Sequence, residues 1–271
     1  MNAKSVRRGA RTLFVLVVLF YFIPWIAAFF VLCGLIDLSR HRRFEAALIS
    51  KYFAGNGLLT WLLSPINLAF DLISKRRPVV LHVEDFDPPA QAEIRELLEA
   101  FDQDKDAILG DINARMGDSK RGMLFYKWYD QNIDTSQLLF NKQWTHIKTI
   151  GVSVFNSQEK TGLHFGPLRL TVRLLYNLTA RRSQDIYIEV NGHRYYWHDD
   201  PLFIFDDTIQ HRSVNAEDGF RAVVFVDVLR PSRFTGLQNA IISGFNFALR
   251  PVNRLFYKNW DMLGRSKTER S

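Results

Sequence analysis

An uncharged apolar stretch near the amino terminus constrains this chain more than any other feature. Thr12–Ile36 holds 25 residues without a charged side chain and is rich in Leu, Val, Phe and Ile. As one helix it would extend about 37 Å, which exceeds the roughly 30 Å hydrocarbon core of a bilayer. A secretory signal peptide has a shorter apolar region and a small-residue cleavage site, and neither fits here. The stretch therefore predicts a retained transmembrane helix, kinked at Pro24.

The basic residues of the chain gather beside apolar segments, and the net charge is +7. Arg8 and Arg11 precede the uncharged stretch, while Arg42 and Arg43 follow it. Such flanks suit anionic lipid headgroups, so we expect a bilayer as partner rather than nucleic acid, for which no motif is present. Because both flanks are similarly basic, charge does not choose an orientation. The single cysteine, Cys33, excludes an internal disulfide framework and agrees with a reducing compartment.

Two further segments have membrane-like composition. Leu58–Ile73 is apolar but contains Pro65 and Asp71, and it is short for a span. We expect an interfacial or re-entrant segment there, with a buried core helix as the alternative. The carboxyl-terminal residues read as helical, and their basic and aromatic side chains suit either the membrane interface or packing on the rest of the fold. The predicted organisation is a membrane anchor (1–77), a central catalytic domain (78–235) and a helical segment (236–271).

The central domain shows the pattern of a β-fold. An amphipathic helix is predicted over 90–103, and the following pattern consists of short β-branched and aromatic runs separated by turns. Asn191-Gly192 between two such runs predicts a type I′ hairpin. Six to eight short strands without intervening helices predict a mainly β fold, a double-stranded β-helix or jelly roll with flanking helices. The predicted strands include 148–155, 168–177, 185–190, 195–197, 201–205 and 220–228.

Two of the seven histidines stand out through their surroundings. His164 lies between two predicted strands, and His211 lies on the turn-rich connection between two others. Both are therefore expected at strand ends, where distant residues meet. Imidazole suits iron, and two histidines from separate strands with open coordination positions are typical of a non-heme Fe(II) oxygenase. A single histidine is more often structural, so the pair is a candidate metal site.

A series of motifs runs through about 80 residues around these histidines. In order, they are Ser153, His164-Phe165-Gly166-Pro167, Arg173, Phe205-Asp206-Asp207, His211, Phe220-Arg221 and Val226-Asp227-Val228. In their order and spacing they resemble the aspartyl/asparaginyl β-hydroxylase family, a branch of the Fe(II)/2-oxoglutarate dioxygenases. The resemblance implies a jelly-roll fold, Fe(II) as cofactor, 2-oxoglutarate as co-substrate and O2 as oxidant in a C–H hydroxylation.

The resemblance also implies a role for each of five residues. His164 and His211 match the iron ligands. Arg221 matches the arginine that pairs with the distal carboxylate of 2-oxoglutarate, and a guanidinium suits a carboxylate in a bidentate geometry. Ser153 matches a serine that donates to the same carboxylate, and Arg173 a basic residue near the metal-bound carboxylate. The alternatives are ordinary ion pairs for the two arginines and a polar strand position for the serine.

Gly166 departs from the wider dioxygenase pattern. It stands two residues after the first histidine, where the usual facial triad has a carboxylate. The eukaryotic-type members of the family also have glycine there, with water completing the metal shell. Asp206 and Asp207 are candidate substitute ligands, although a turn-forming role or a hydrogen bond to a ligand is favoured.

Within the family, the overall plan resembles the bacterial membrane-lipid hydroxylases, including those of lipid A. Ser64–Asn67 and Phe125–Tyr129 carry this resemblance, whereas lipid A hydroxylases have Asp at the position of Gly166. The predicted function is hydroxylation of an acyl chain of a membrane lipid such as lipid A. Arg169, Arg181 and Arg182 are candidates for contact with lipid phosphates, with a solvated basic face as the alternative. The alternatives are a protein or peptide Asp/Asn β-hydroxylase and a non-catalytic membrane-anchored binding module.

The co-substrate supplies the only expectation about location. Because 2-oxoglutarate and Fe(II) are cytosolic, the domain that follows Pro78 is expected to face the cytoplasm from the inner membrane. The sequence does not determine the oligomeric state.

Overall fold

Two sheets, paired almost entirely in antiparallel fashion, form the centre of the computed structural model, which describes residues 9–10, 13–15, 17–18, 21–75, 77–134, 139–179, 182–249 and 260–263. The strands are β1 (Val80–Leu81), β2 (Arg121–Trp128), β3 (Gln131–Asn132), β4 (Ile147–Phe155), β5 (Glu159–Lys160), β6 (Thr171–Asn177), β7 (Ile186–Val190), β8 (His193–Tyr196), β9 (Leu202–Phe205), β10 (His211–Asn215), β11 (Arg221–Leu229) and β12 (Asp261–Met262). The larger sheet has the order β1-β9-β6-β11-β4-β2-β12, with β3 paired to β2. The smaller sheet has the order β5-β10-β7-β8. Antiparallel sheets with flanking helices are as predicted.

The central strands of the larger sheet, β4 and β11, are buried along their whole length. Their alternating side chains therefore serve two cores. Val152 and Val224 belong to an outer core with the helical residue Ile94. On the other face, Phe225 packs with Ile188 of the smaller sheet in an inner core. Arg221 and Ser153 lie on the strand face that carries this inner core.

The helices flank this pair of sheets. They are α1 (Pro24–Leu38), α2 (Ala46–Ser50), α3 (Leu58–Leu62), α4 (Ser64–Ile73), α5 (Pro88–Gln103), α6 (Lys105–Met116) and α7 (Thr235–Leu249), with a π-helical turn at Lys51–Gly55. The predicted helix over 90–103 corresponds to α5, which begins at a proline suited to the first helical turn. We refer to residues 24–75, which hold α1 to α4, as the N-terminal layer.

The predicted transmembrane helix at Thr12–Ile36 is wrong. In the part of the chain that the structure describes, no helix is both long enough and apolar enough to cross a membrane. The continuous helix α1 begins at Pro24 and ends at Leu38. Its last turn carries Asp37, which is buried and forms an ion pair with Arg169 of the β-domain. The length of the uncharged stretch did not reveal where the helix starts or what its polar end binds.

Of the other two predicted membrane-like segments, Leu58–Ile73 is helical, whereas the described part of the carboxyl-terminal segment is helical only as far as Leu249. Its described residues Asp261–Met262 form β12 beside β2, so the helix predicted there is wrong. Leu58–Ile73 forms α3 and α4, in which Trp61 and Asn67 are buried while Leu72 is 82% exposed. In the carboxyl-terminal segment, α7 packs through Ile242 against a small core that includes residues of the β-domain. The rest of this predicted segment, apart from 260–263, lies outside the described residues.

The predicted hairpin is confirmed. Asn191 and Gly192 have φ angles of 52° and 81°, as a type I′ turn requires at both central positions. Val190 and His193 form the pair that closes the turn between β7 and β8. The register of the smaller sheet is thereby fixed, since β10 pairs with the other edge of β7 and begins at His211.

Candidate active site

The structure brings His164 and His211 together as a pair. They form an antiparallel bridge in which His164 N–H donates to His211 O at 3.0 Å and His211 N–H donates to His164 O at 2.9 Å. Residues that face each other in such a bridge project their side chains from the same side. The two imidazole rings have centroids 4.2 Å apart at an interplanar angle of 52°. The backbone thus places two potential metal ligands side by side.

Both imidazoles are held in the tautomer that a metal ligand needs. The Nδ1 of His164 lies 2.8 Å from the Gly162 carbonyl oxygen, and that of His211 lies 2.9 Å from the Ile209 carbonyl oxygen. A carbonyl oxygen only accepts, so each Nδ1 carries the proton and each Nε2 keeps its lone pair. Burial lowers the pKa of both histidines, and for His211 the neighbouring His164 lowers it further. Both rings are therefore neutral near pH 7, and both Nε2 atoms can bind a metal.

Asp207 fills the space where a third protein ligand would start. The Gly166 N–H donates to the Asp207 carbonyl at 2.7 Å. A Cβ atom at Gly166 would lie 2.5 Å from both Cγ and Oδ2 of Asp207. A carboxylate-bearing residue therefore does not fit at Gly166 while Asp207 keeps this position. Among the described residues, no group of three or more His, Cys, Asp or Glu is arranged to hold a metal, so a metal here would have two protein ligands.

Arg173 holds the Asp207 carboxylate beside the histidine pair. Its Nη2 donates to Asp207 Oδ2 and its Nε to Asp227 Oδ1, both at 2.9 Å, while Cζ lies 3.6 Å from the centroid of the Phe225 ring. Burial raises the pKa of Asp207 to about 7, against the opposing effect of the Arg173 guanidinium. The structure therefore places Arg173 beside the candidate metal site with its guanidinium bound to two carboxylates.

Arg221 is a buried cation without a protein anion. It is 1% exposed, and its Nη2 donates to Ser213 Oγ at 2.7 Å. Its Nε and Nη1 have no hydrogen-bond partner, and within the described residues no carboxylate forms an ion pair with it. Burial lowers the pKa of Arg221 to about 9, which still leaves the side chain protonated at neutral pH. A buried charge is unfavourable unless it is paired, so this position suits an anionic ligand.

The histidine pair and Arg221 face the same interior space. Ser213, which accepts from Arg221, follows His211 by two residues in β10, so their side chains share one face with Cα atoms about 7 Å apart. Ser153 pairs with Val223, two residues after Arg221, and therefore shares the face of Arg221. Ser153 is buried and donates to the Val223 carbonyl at 3.3 Å. The five residues predicted from the sequence thus line one region between the sheets.

Two asparagines of the N-terminal layer fasten the segment that carries Gly166, and the sequence analysis missed both. Asn56 Nδ2 donates to the Phe165 carbonyl at 2.9 Å, and the Phe165 N–H donates to Asn56 Oδ1 at 3.0 Å. Asn67 Oδ1 accepts from the Arg169 N–H at 2.8 Å, while its Nδ2 donates to the Pro167 carbonyl at 3.2 Å. Asn67 is the last residue of the Ser64–Asn67 motif, and this motif was the sequence feature from which its role could have been predicted.

A buried cluster of six charges joins the N-terminal layer to the Asp206-Asp207 turn. Arg169 is fully buried, so its predicted contact with lipid phosphates is wrong; it pairs with Asp37 and, at 2.6 Å, with Asp71. Arg40 and Arg230 lie 2.5 Å and 2.8 Å from Asp206. Burial favours the neutral form of Asp206, but these cations and Arg169 hold its pKa well below the usual range. The cluster fixes the turn that presents Asp207.

Comparison with known families gives a match to the central part of the chain. The model of a family described as aspartyl/asparaginyl beta-hydroxylase matches residues 94–231, which is half of the chain. The matched region holds all five predicted site residues. An ornithine lipid ester-linked acyl 2-hydroxylase from Rhizobium tropici is 30% identical over 86 residues, which cover 31% of this chain and 31% of that protein. The alignment thus spans about a third of the length of this relative.

Comparison with solved structures gives distant similarities. A 2OG-Fe(II) oxygenase family oxidoreductase from Burkholderia pseudomallei has a TM-score of 0.27 and 12% identity, covering 32% of this chain and 45% of that one. A predicted oxalate decarboxylase from Thermotoga maritima has a TM-score of 0.26 and 13% identity, covering 31% and 68%. Similarities this low carry no argument about function.

Proposed function

The chain belongs to the aspartyl/asparaginyl β-hydroxylase family, whose reaction is an oxidation, and from this premise we propose that it is an Fe(II)- and 2-oxoglutarate-dependent hydroxylase. We further propose that its substrate is an acyl chain of a membrane lipid. His164 and His211 would hold the metal, and Arg221 with Ser153 would bind the distal carboxylate of the co-substrate.

The observation that carries the proposal is the contrast between two kinds of side chain that share one face of the site. Two neutral imidazoles present unprotonated Nε2 atoms, while a buried guanidinium on the same side lacks an anion. A metal suits the first pair and a carboxylate suits the second. A ligand that carries both a metal-chelating group and a distant carboxylate matches this arrangement, and 2-oxoglutarate is such a ligand.

The protein itself contributes position and electrostatics rather than acid–base chemistry. With Fe(II) and 2-oxoglutarate bound, the site would couple O2 to C–H hydroxylation and release succinate and CO2. The carbonyls of Gly162 and Ile209 orient the imidazoles. Asp207, kept in place by Arg173, is the group that would accept a hydrogen bond from a water filling the missing carboxylate position.

An acyl-chain substrate is supported by the similarity to the Rhizobium tropici relative, whose name describes 2-hydroxylation of an ester-linked acyl group of a lipid. Exposed apolar side chains on the N-terminal layer also favour a bilayer-bound substrate. Trp25, Phe29 and Leu72 are 86%, 54% and 82% exposed, and clustered exposure of this kind marks interaction surfaces. We propose that the enzyme acts at the cytoplasmic face of the inner membrane, where Fe(II) and 2-oxoglutarate are supplied.

Anaerobic titration tests the enzyme class first. Addition of 2-oxoglutarate to the protein with Fe(II) is expected to produce a weak visible absorption band, and admission of O2 with membranes is expected to yield succinate. An absent band together with absent succinate would refute the dioxygenase proposal. Membranes boiled before addition are a suitable control for succinate from contaminating enzymes.

Mass spectrometry of lipids tests the substrate class separately. Lipids from cells with and without the gene should differ by 16 Da on an acyl chain. Unchanged lipids together with a hydroxylated Asp or Asn in a peptide would replace the lipid proposal with peptide hydroxylation while leaving the dioxygenase proposal intact. Reporter fusions at the carboxyl terminus test the location, and a periplasmic signal would overturn it.

A further inference from the structure

A second unpaired donor lies beside the unpaired guanidinium. Trp197 follows β8 and packs in the core between the sheets, where it is 5% exposed. Its indole Nε1 is buried and has no hydrogen-bond partner in the part of the chain that the structure describes. An indole nitrogen only donates, and a buried tryptophan usually finds an acceptor for it. The absence of an acceptor here needs an explanation.

The position of Trp197 beside Arg221 explains why its indole N–H has no acceptor. The Cζ of Arg221 lies 5.7 Å from the centroid of the Trp197 ring and 4.5 Å from that of Phe155. The guanidinium is therefore enclosed by two aromatic rings, one of which carries an N–H at its edge. Three buried donors in this enclosure lack acceptors: Nε and Nη1 of Arg221 and Nε1 of Trp197. They share one requirement, an acceptor with several lone pairs.

A carboxylate meets that requirement. Its two oxygens offer about four acceptor positions, more than the two remaining Arg221 donors use. The Ser213 hydroxyl already occupies Nη2, so the guanidinium cannot bind a carboxylate with all of its donors. A third donor from another side chain would fill an acceptor position that Arg221 leaves open.

An unpaired indole alone would not support this inference, because Trp61 and Trp128 also have buried Nε1 atoms without partners. Trp197 differs from these two tryptophans because a cationic side chain, Arg221, lies against its ring. Within the described residues, Arg221 lies against the ring of Trp197, whereas neither of the other two tryptophans has an arginine or lysine over its ring. The conjunction of a free indole N–H with a free guanidinium makes the site.

We propose that Trp197 is a co-substrate-binding residue whose indole N–H, together with Nε and Nη1 of Arg221, binds the distal carboxylate of 2-oxoglutarate. The inference rests on the proposed function, because it assumes this co-substrate. It assigns Trp197 to the end of the site opposite the histidine pair. Trp197 should therefore affect how tightly the co-substrate is held without changing how it meets the metal.

The test compares two ligands on three proteins under anaerobic conditions with Fe(II). The ligands are 2-oxoglutarate and 2-oxopentanoate, which has the same chelating end but no distal carboxylate. The proteins are the wild type, Trp197→Phe, which keeps a ring but removes the donor, and Trp128→Phe as the matched control. Binding is followed by calorimetry and by the visible absorption band.

We expect Trp197→Phe to weaken 2-oxoglutarate binding about tenfold or more, as loss of a hydrogen bond to a charged group does. Binding of 2-oxopentanoate should be equal in the wild type and in Trp197→Phe, and the band at saturation should be unchanged. Trp128→Phe should bind both ligands as the wild type does. Unchanged 2-oxoglutarate binding, or an equal loss for both ligands, would overturn the role of Trp197 while the enzyme proposal stands. A wild type that does not prefer 2-oxoglutarate to 2-oxopentanoate would instead refute the co-substrate itself.

A measurement on the unaltered protein covers the case in which Trp197→Phe does not fold. With Zn(II) as a diamagnetic metal, the six tryptophans give indole N–H resonances in an NMR spectrum of 15N-labelled protein. One indole resonance should move downfield on addition of 2-oxoglutarate and stay in place with 2-oxopentanoate. If no indole resonance responds in this selective way, the inference is wrong.

Discussion

Arg169 and Arg221 are both buried arginines, 0% and 1% exposed, but they lie in different regions. Arg169 lies where the N-terminal layer meets the β-domain, and three aspartates surround its guanidinium. Arg221 lies between the two sheets, and its Nε and Nη1 have no partner among the described residues. The protein thus satisfies one buried cation and leaves the other unsatisfied.

This difference in partners distinguishes an arginine that stabilises the fold from one that is suited to bind a ligand. A buried cation is costly unless it is paired, so the aspartates around Arg169 offset the cost within the fold and join two parts of the chain. Among the described residues, Arg221 has the Ser213 hydroxyl and two aromatic rings beside it but no anion, so its charge is left for an anionic ligand to pair. Burial alone does not distinguish Arg169 from Arg221. Their partners do: the aspartates around Arg169 indicate a structural contact between two regions, and the lack of an anion beside Arg221 indicates a binding site.

The largest expected effect is at the metal end of the site. Replacing His211→Ala removes one of two protein ligands, so turnover and stoichiometric iron binding should both be lost. His198→Ala is the matched control, since this histidine lies outside the site beside Asp199. Iron content and succinate formation are the measurements. Full activity in His211→Ala would mean that the wrong histidine has been assigned.

Next comes the unpaired arginine itself. Arg221→Met removes two charge-assisted hydrogen bonds to the ligand, and we expect 2-oxoglutarate affinity to fall about a hundredfold or more. The free energy of unfolding should stay the same or rise, because an uncompensated buried charge disappears. Ligand titration and urea unfolding measure the two quantities. A clearly destabilised variant would show that Arg221 is structural, like Arg169.

Arg169→Met should have the opposite signature. It leaves Asp37, Asp71 and Asp206 without their shared cation, and the expected loss is about 3–5 kcal/mol in the free energy of unfolding. Whatever protein remains folded should bind 2-oxoglutarate through an unchanged Arg221. Urea unfolding decides the matter: a variant as stable as the wild type would contradict the assignment of this cluster as the joint between the regions.

Gly166→Ala probes the space beside the histidine pair. The added methyl group would lie 2.5 Å from the Asp207 carboxylate, so the turn must shift, at an expected cost of about 1–3 kcal/mol. Gly162→Ala is the control on the other side of His164, where an added Cβ would meet nothing within 4 Å. Thermal unfolding compares the two variants, and equal melting temperatures would mean that Asp207 moves aside freely.

The smallest effect is expected at a solvated ion pair that crosses the same boundary as Arg169. Lys75 Nζ lies 2.5 Å from Asp87 Oδ1, and the two side chains are 41% and 43% exposed. Lys75→Ala should cost less than about 1 kcal/mol because water screens the pair. Urea unfolding at low and high salt is the measurement. A loss comparable to that of Arg169→Met would show that burial is not what separates the two pairs.

Local sequence patterns predicted much of the β-domain and the residues of the candidate site. The hairpin at Asn191-Gly192 depends on two adjacent residues that tolerate positive φ, and such a signal is complete within the sequence. His164 and His211 were paired through motif spacing, and the structure joins them in one bridge. The prediction of a transmembrane helix was wrong because it used only the length of the apolar stretch. That length does not show that α1 begins at Pro24 or that Asp37, in its last turn, forms an ion pair with Arg169.

The sequence by itself indicated many of the strands, the Asn191-Gly192 turn and the residue types around the candidate site, because side-chain alternation and turn chemistry are local. It did not predict β2, and it placed His211 on a connection rather than at the start of β10. Only the tertiary structure decided which buried arginine is paired, that Asp207 fills the space at Gly166, and that Asn56 and Asn67 fasten the segment beside it. These outcomes depend on atoms from distant parts of the chain meeting within a few ångströms. For this reason only the tertiary structure shows that Arg169 links two regions of the fold while Arg221 lies at a candidate binding site.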